Sequence, residues 1–270
     1  MEAQPVVRLE GVAKSYRLGR VQVPALAGVT LDVARGDFLA LAGPSGSGKT
    51  TLLNLIGCID KPDAGRVLVD GIDVTPLPLH RLAITRREVL GFVFQTFNLI
   101  PVLTAYENVE YPLLLRGLGR SDRRERVAHW LAQVGLTSQA RQRPDQLSGG
   151  QRHRVAIARA MAGDPKLVLA DEPTANLDSE TAAKILDLLQ RLNAETRTTF
   201  VFATHDPALI ARAPRCIRMH DGALVTPVIP SVSEGPGGWA ARIGNLGAPP
   251  APPGPSLIWS DLVKFVRLVA

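Results

Sequence analysis

The sequence predicts an α/β chain built on a largely parallel β-sheet with a helical segment inserted into it. Three observations carry this. Short, wholly apolar runs recur, of the kind that fills a sheet covered on both faces. Helical stretches alternate with those runs, which is the order of a parallel sheet. One long interval, about 96–165, reads as mainly helical and is placed as a subdomain inside the core. At 270 residues the chain has room for one such domain and an appendage.

Two strand-like segments open the chain, Val6 to Val12 and Val21 to Val33, both rich in β-branched residues and separated by turn signals. Phe38-Leu39-Ala40-Leu41-Ala42 follows as a buried strand, then a glycine-rich loop and a helix from Thr51. Val67 to Val69 is a strand closed by the Asp70-Gly71 turn. Thr104-Ala105-Tyr106-Glu107 has capping-box spacing, and Ser121 is the expected N-cap of a helix through Val134. Leu167 to Ala170 is an apolar strand ending at Asp171, and Asp178 caps a helix to Leu192. Thr199 to Ala203 and Cys216 to Met219 supply the last strands before Asp221-Gly222.

Beyond residue 226 the composition changes. Eight prolines and six glycines fall in the last 44 residues, which divides the chain into a body, 1–226, and a tail, 227–270. Pro249 to Pro255 reads as an extended spacer. Over 256–270, Ile258, Leu262, Phe265, Val266 and Val269 share one helical face, with Ser256 as a cap. That is either a short amphipathic helix against a membrane or membrane protein, or a tail without function.

Composition excludes several classes. No apolar run approaches the roughly 18–20 residues of a spanning helix, and the N-terminus lacks the basic and apolar regions of a secretory signal. Two cysteines, Cys58 and Cys216, are too few for a disulfide framework and suit a reducing compartment. The net charge of +6 is scattered, apart from Arg116, Arg120, Arg123, Arg124 and Arg126. Those arginines are interleaved with Asp122 and Glu125, which reads as a solvated helix face, so no nucleic-acid partner is expected. The five histidines and two cysteines show no metal-ligand spacing.

Three motifs carry chemistry. Gly43-Pro44-Ser45-Gly46-Ser47-Gly48-Lys49-Thr50 matches the phosphate-binding loop in full and stands between a predicted strand and helix. Its glycines let several N–H groups face one anion, and the helix behind adds its positive end. Lys49 supplies a charge for the β- and γ-phosphates, Thr50 a hydroxyl for Mg²⁺, and Thr51 continues the contact. The second motif, Leu167-Val168-Leu169-Ala170-Asp171-Glu172, ends an apolar strand in carboxylates. Asp171 is placed to partner Mg²⁺ and Glu172 to polarise a water. The third, Leu147-Ser148-Gly149-Gly150-Gln151-Arg152, opens a helix with a second anion nest. One nucleotide does not need two nests from one chain, so this one serves ATP held by a second nucleotide-binding domain.

With that third motif the sequence resembles the ATP-binding cassette ATPases, over about Val6 to Val225 and with every expected motif in order. The resemblance implies a P-loop NTPase core of RecA-like type, an N-terminal antiparallel β subdomain and an inserted α-helical subdomain. It also implies that Gln95 senses Mg²⁺ and the transporter interface, and that Asp178 lies on the loop crossing a dimer interface. His205 is then the γ-phosphate contact and Tyr16 the ring stacked on adenine. Ser148, Gly149, Gly150 and Gln151 bind the nucleotide of the opposite subunit. Ala175 stands where the family more often has glycine.

Leu53 to Asp60, Phe92 to Pro101 and Glu107 to Leu113 are similar to the lipoprotein-release and macrolide-export branch, which includes the LolD, MacB and FtsE ATPases. The implied activity is ATP hydrolysis with Mg²⁺, by a subunit pairing with itself or a homologous ATPase. It would drive a separate membrane permease, FtsX- or MacB-like, from the cytoplasmic face of the inner membrane. Phe97, Leu99 and Ile100 are expected either to dock that permease or to pack the helical subdomain. Mechanotransmission to cell-wall enzymes without transport is the alternative, and a soluble cassette acting on nucleic acid a third.

Overall fold

The computed structural model describes residues 4–225, all within a compact unit spanning Met1–Ile229. The tail reading, including the helix over 256–270, lies outside the described residues. Two sheets form the frame. Strands β1 (Val7–Leu18), β2 (Val21–Val33), β4 (Ala64–Val69) and β5 (Ile72–Asp73) make an antiparallel sheet in the order β2-β1-β4-β5. The second sheet holds β3 (Phe38–Ala42), β6 (Leu90–Val93), β7 (Leu167–Asp171), β8 (Thr199–Thr204), β9 (Arg215–His220) and β10 (Ala223–Val225). Its order is β10-β9-β3-β8-β7-β6, and every pair is parallel except β10 with β9. The fold is the one expected, a P-loop NTPase core with an N-terminal antiparallel β subdomain and an inserted helical layer.

Alternation along the parallel strands builds two cores. Phe38, Ala40 and Ala42 of β3, Phe200 and Phe202 of β8, and Val168 and Ala170 of β7 face one side. There they meet the inserted helices α3 (Ala105–Leu115), α4 (Arg120–Gln133) and α5 (Gly149–Ala162), together with α6 (Ser179–Thr196) and α7 (Pro207–Arg212). The intervening residues Leu39, Leu41, Val201, Ala203, Leu167 and Leu169 face the other side. That side is covered by α1 (Lys49–Ile56), α2 (Leu79–Val89) and the antiparallel sheet. The period of two along these strands thus sorts their apolar residues into one core or the other. Phe38 and Phe202 lie 4.5 Å apart between centroids, an aromatic contact at the centre of the first core.

Element boundaries mostly follow the sequence, with instructive exceptions. Strand β1 continues to Leu18 because bulges let it stay paired with β2 past Gly11. Helix α1 begins at Lys49, two residues before Thr51. Ser121 is not the cap of α4. Gly119 is, and its carbonyl accepts the Arg123 N–H at 3.0 Å, which places Ser121 inside the first turn. The Thr104 box is realised in full, with the Glu107 N–H on Thr104 Oγ1 and the Thr104 N–H on Glu107 Oε2. No helix among the described residues is long and apolar enough to cross a membrane.

Strand β6 packs on α5 through Gly91, where an added Cβ would stand 2.6 Å from the Ala160 carbonyl oxygen. Gly91→Ala should therefore cost about 1–3 kcal/mol through overpacking. A thermal scan should show the midpoint fall by several degrees, and an unchanged midpoint would refute this account of the contact.

Candidate functional site

Because β3, β8, β7 and β6 are parallel neighbours, the segments leaving their C-terminal ends converge on one edge of the sheet. Those segments are the phosphate loop after β3, Thr204-His205 at the end of β8, Asp171-Glu172 at the end of β7, and Gln95 after β6. Sequence positions 43–50, 95, 171–172 and 205 become one site through topology alone.

At Gly43 and Gly48 the loop of residues 43–48 leaves no room for a side chain. A Cβ on Gly43 would stand 2.3 Å from the Met219 carbonyl oxygen. One on Gly48, at φ 97°, would stand 2.5 Å from the Ala25 carbonyl oxygen. Helix α1 starts there with no side-chain cap, so its first N–H groups face the loop's interior. Lys49 Nζ arches back to donate to the carbonyls of Gly43 (2.7 Å) and Pro44 (2.9 Å). Burial lowers the Lys49 pKa, against the opposing pull of Glu172 and Asp171. Ser47 Oγ is buried without a hydrogen-bond partner. A loop lined with unused donors and one buried hydroxyl is chemically suited to a polyphosphate.

Thr50 Oγ1 donates to Asp171 Oδ2 at 3.2 Å. Burial raises the Asp171 carboxyl above its ordinary range, with neighbouring Glu172 adding to the rise while Thr50 and Lys49 oppose it. One hydroxyl and one carboxylate beside a phosphate cradle form the hard-oxygen donor set that Mg²⁺ takes, since that ion uses few protein ligands besides phosphates and water. No group of three or more His, Cys, Asp or Glu side chains that could cage an ion occurs among the described residues.

Glu172 sits in the left-handed region at φ 47°, which turns its side chain back over the sheet edge. Thr204 Oγ1 donates to its Oε2 at 3.3 Å, and His205 Nδ1 lies 2.6 Å from its Oε1. Thr204 is fully buried, whereas the His205 side chain is 70 % exposed. The carboxylate is thus oriented from within and held from outside by an exposed imidazole. Asn176 Nδ2 donates to the Gln95 carbonyl at 3.2 Å, joining the loops after β6 and β7.

The loop after Gln95 is bound to α5. Arg159 donates to the carbonyls of Phe97, at 2.8 Å, and Asn98, both left-handed residues. Protein around the partly buried Arg159 guanidinium lowers its pKa to about 10. The Phe97 ring centroid lies 5.5 Å from the Arg152 guanidinium carbon and 5.4 Å from the His153 ring centroid, the two rings steeply inclined. Phe97, Leu99 and Ile100 are half-buried, and Leu99 packs on the core. For Leu99, packing of the helical layer, one of the two readings of these residues, is therefore realised.

Ser148 caps α5, with the Gln151 N–H on Ser148 Oγ (3.3 Å) and the Ser148 N–H on Gln151 Oε1 (2.8 Å). The Gln151 side chain is thereby committed to its own helix. Asp178 caps α6, accepting the Thr181 N–H at 2.9 Å. Ser148, Gly149, Gly150, Asn176, Leu177 and Asp178 border one open cavity of about 920 Å³ that no residue of the phosphate loop lines. The structure therefore does not bring the second nest to the first. Tyr16 lines neither that cavity nor the loop of residues 43–48, but is half-buried and hydrogen-bonded to Asp60 (2.9 Å) and to Thr51 in the first turn of α1. Thr204, Asp60 and Arg159 were missed as functional candidates. A threonine directly after the apolar run Phe200–Ala203 is the one signal available for Thr204.

A nucleotide-type phosphate loop between a parallel strand and a helix defines a P-loop protein. Comparison with known proteins supplies the particular family. The model of the ABC transporter family matches residues 26–175. The lipoprotein-releasing system ATP-binding protein LolD of Anaeromyxobacter dehalogenans is 50 % identical over 224 residues, covering 83 % of this chain and 94 % of that one. The macrolide export ATP-binding/permease protein MacB of Syntrophobacter fumaroxidans is 48 % identical over 221 residues, 81 % of this chain but 31 % of the relative. Among solved structures, the ATP-binding cassette MJ0796, dimeric and bound to ADP and Pi, superposes with a TM-score of 0.77 at 45 % identity. That match covers 83 % of this chain and 98 % of the other. The chain belongs to the ABC transporter family, as its ATP-binding cassette.

His153 generates a pH prediction. It is 1 % exposed, both ring nitrogens lack partners, and burial lowers its pKa to about 4 from an ordinary 6.5. Between pH 6.5 and 4 the unfolded chain takes up a proton that the folded one refuses, so stability falls as pH falls through that window. The loss should reach about 3 kcal/mol. His153→Leu should flatten that part of the stability–pH curve relative to wild type, and parallel curves would refute the assignment.

Proposed function

We propose that this chain is the ATP-hydrolysing subunit of an ABC transporter complex, dimerising on ATP and driving a separate membrane permease from the cytoplasmic face of the membrane. The observation that carries this is the separation of the two nests. The phosphate loop, Asp171 and Glu172 share one sheet edge, while Ser148 to Gly150 border a different cavity. Two copies facing each other would place each Ser148 nest on the nucleotide held by the other. The similarity to LolD and to a dimeric cassette bound to ADP and Pi supports that arrangement. Export or release of a lipoprotein, macrolide, peptide or lipid is the transport implied, with selection left to the permease.

In this reading the amides of residues 43–48 and the Lys49 ammonium bind the β- and γ-phosphates, with Thr51 beside them. Thr50 and Asp171 would hold Mg²⁺, with Gln95 close by, and the ion would neutralise phosphate charge. Glu172 takes the proton of the attacking water at Oε2 or Oε1, held in place by Thr204. His205 leaves Glu172 Oε1 to donate to the γ-phosphate, for which its exposure suits it. Tyr16 stacks on the base. Asp178 places its loop, already tied to Gln95 through Asn176, at the interface between copies. Hydrolysis removes the phosphate that both copies grip, and the pair separates.

Glu172→Gln should keep nucleotide binding but lower turnover at least about a hundredfold, the usual scale for a lost general base. The variant should run as a dimer in ATP on size exclusion. Turnover at the wild-type rate would remove Glu172 from the mechanism. For the partner, cross-linking from Leu99 or from Val102, which is 70 % exposed, should capture a co-expressed permease. If neither position yields a product, the loop's apolar residues serve packing alone.

A further inference from the structure

At the end of β1 the ring assigned to the base is held by more than its own strand. The Tyr16 hydroxyl donates to Asp60 Oδ2 at 2.9 Å. Asp60 Oδ1 accepts from Lys14 Nζ at 3.1 Å and from the Lys61 N–H at 2.7 Å. Lys14 Nζ also donates to the Lys61 carbonyl at 2.7 Å and reaches Asp63 at 3.5 Å. The Lys14 side chain is only 11 % exposed, and its ammonium stands 5.3 Å from the Tyr16 ring centroid. Asp63 in turn accepts the Ser15 N–H at 2.7 Å, so the α1–β4 connection is stitched to β1 at Lys14, Ser15 and Tyr16.

The consequences for the ring are specific. A tyrosine held at its hydroxyl cannot swing about χ1 without breaking a charge-assisted bond. Burial, then the Asp60 charge, raises the phenol pKa to about 12, so the proton needed for that bond stays in place. An ammonium over one π-face takes up that face and leaves the other for a planar ligand. Ordering a free side chain during binding offsets part of the stacking gain, so a ring ordered in advance keeps more of it.

We propose that Asp60 and Lys14 are positioning residues of the nucleotide site, fixing the Tyr16 ring with one face closed by the ammonium and the other presented to a purine base. This rests on the reading of Tyr16 as the base platform. The test uses the full chain and ATP labelled with N-methylanthraniloyl on the ribose, with KM and kcat for unlabelled ATP measured in parallel. Asp60→Ala and Tyr16→Phe should each weaken binding and raise KM by about three- to tenfold, the ordering cost expressed as affinity, with kcat within about twofold. Because both act through one hydroxyl, the double variant should bind no worse than Asp60→Ala alone. Where Asp60→Ala does not fold, Asp60→Asn and Tyr16→Phe carry the test. Wild-type affinity in Tyr16→Phe, or a double variant equal to the product of the two losses, would overturn the proposal. Tyr16→Ala separates the two layers. Wild-type affinity there overturns the platform reading and the proposal together, while a loss there without one in Tyr16→Phe overturns the positioning role alone.

Discussion

A sheet that must be apolar on both faces governs this molecule. Strands β3, β8 and β7 contribute alternate side chains to two separate cores, so a polar group within them would be buried without a partner. Polar chemistry is therefore confined to the ends. Asp171 and Thr204 are the last residues of their strands, and the phosphate loop starts one residue past Ala42. The parallel direction, which follows from helical crossovers between the strands, puts those ends on one edge. The site is where the core stops.

At that edge the backbone bends sharply to keep functional groups close. Glu172, Phe97 and Asn98 adopt left-handed conformations, each costing roughly 1–2 kcal/mol for a side-chain-bearing residue. Compensation is visible for each. Glu172 donates its N–H to the Ala203 carbonyl at 2.9 Å and is oriented by Thr204. Phe97 and Asn98 offer their carbonyls to Arg159, and the Phe97 ring contacts Arg152 and His153. Strain sits beside the reacting groups and is offset by contacts with α5 and β8, which are themselves firmly packed.

Much of this was legible in the residues, for physical reasons. Uninterrupted apolar runs gave β3, β7 and β8 almost to the residue, because a strand buried on both faces tolerates little else. The Thr104 and Asp178 caps were read correctly from spacing that only a helix start rewards. Strand β6 escaped as an element, since Leu90 to Val93 is four residues including a glycine and carries no alternation. Ser121 misled because a serine before a helical pattern competes with any nearby residue able to extend, and Gly119 won. The motifs located the groups of the site but not their supports. Thr204, Asp60 and Arg159 act across 32, 44 and 62 positions, and nothing local announces such a pairing.

The bond from Arg159 to the loop after Gln95 has a mechanical meaning. Arg159 lies on the same unbroken helix as Ser148, eleven residues and about 16 Å of rise away. To slide the loop past the helix would strand a partly enclosed guanidinium, so loop and helix travel together. On the proposed reading the helix would then act as a stiff arm, so that pressure on the loop at one end would be felt at the anion nest at the other.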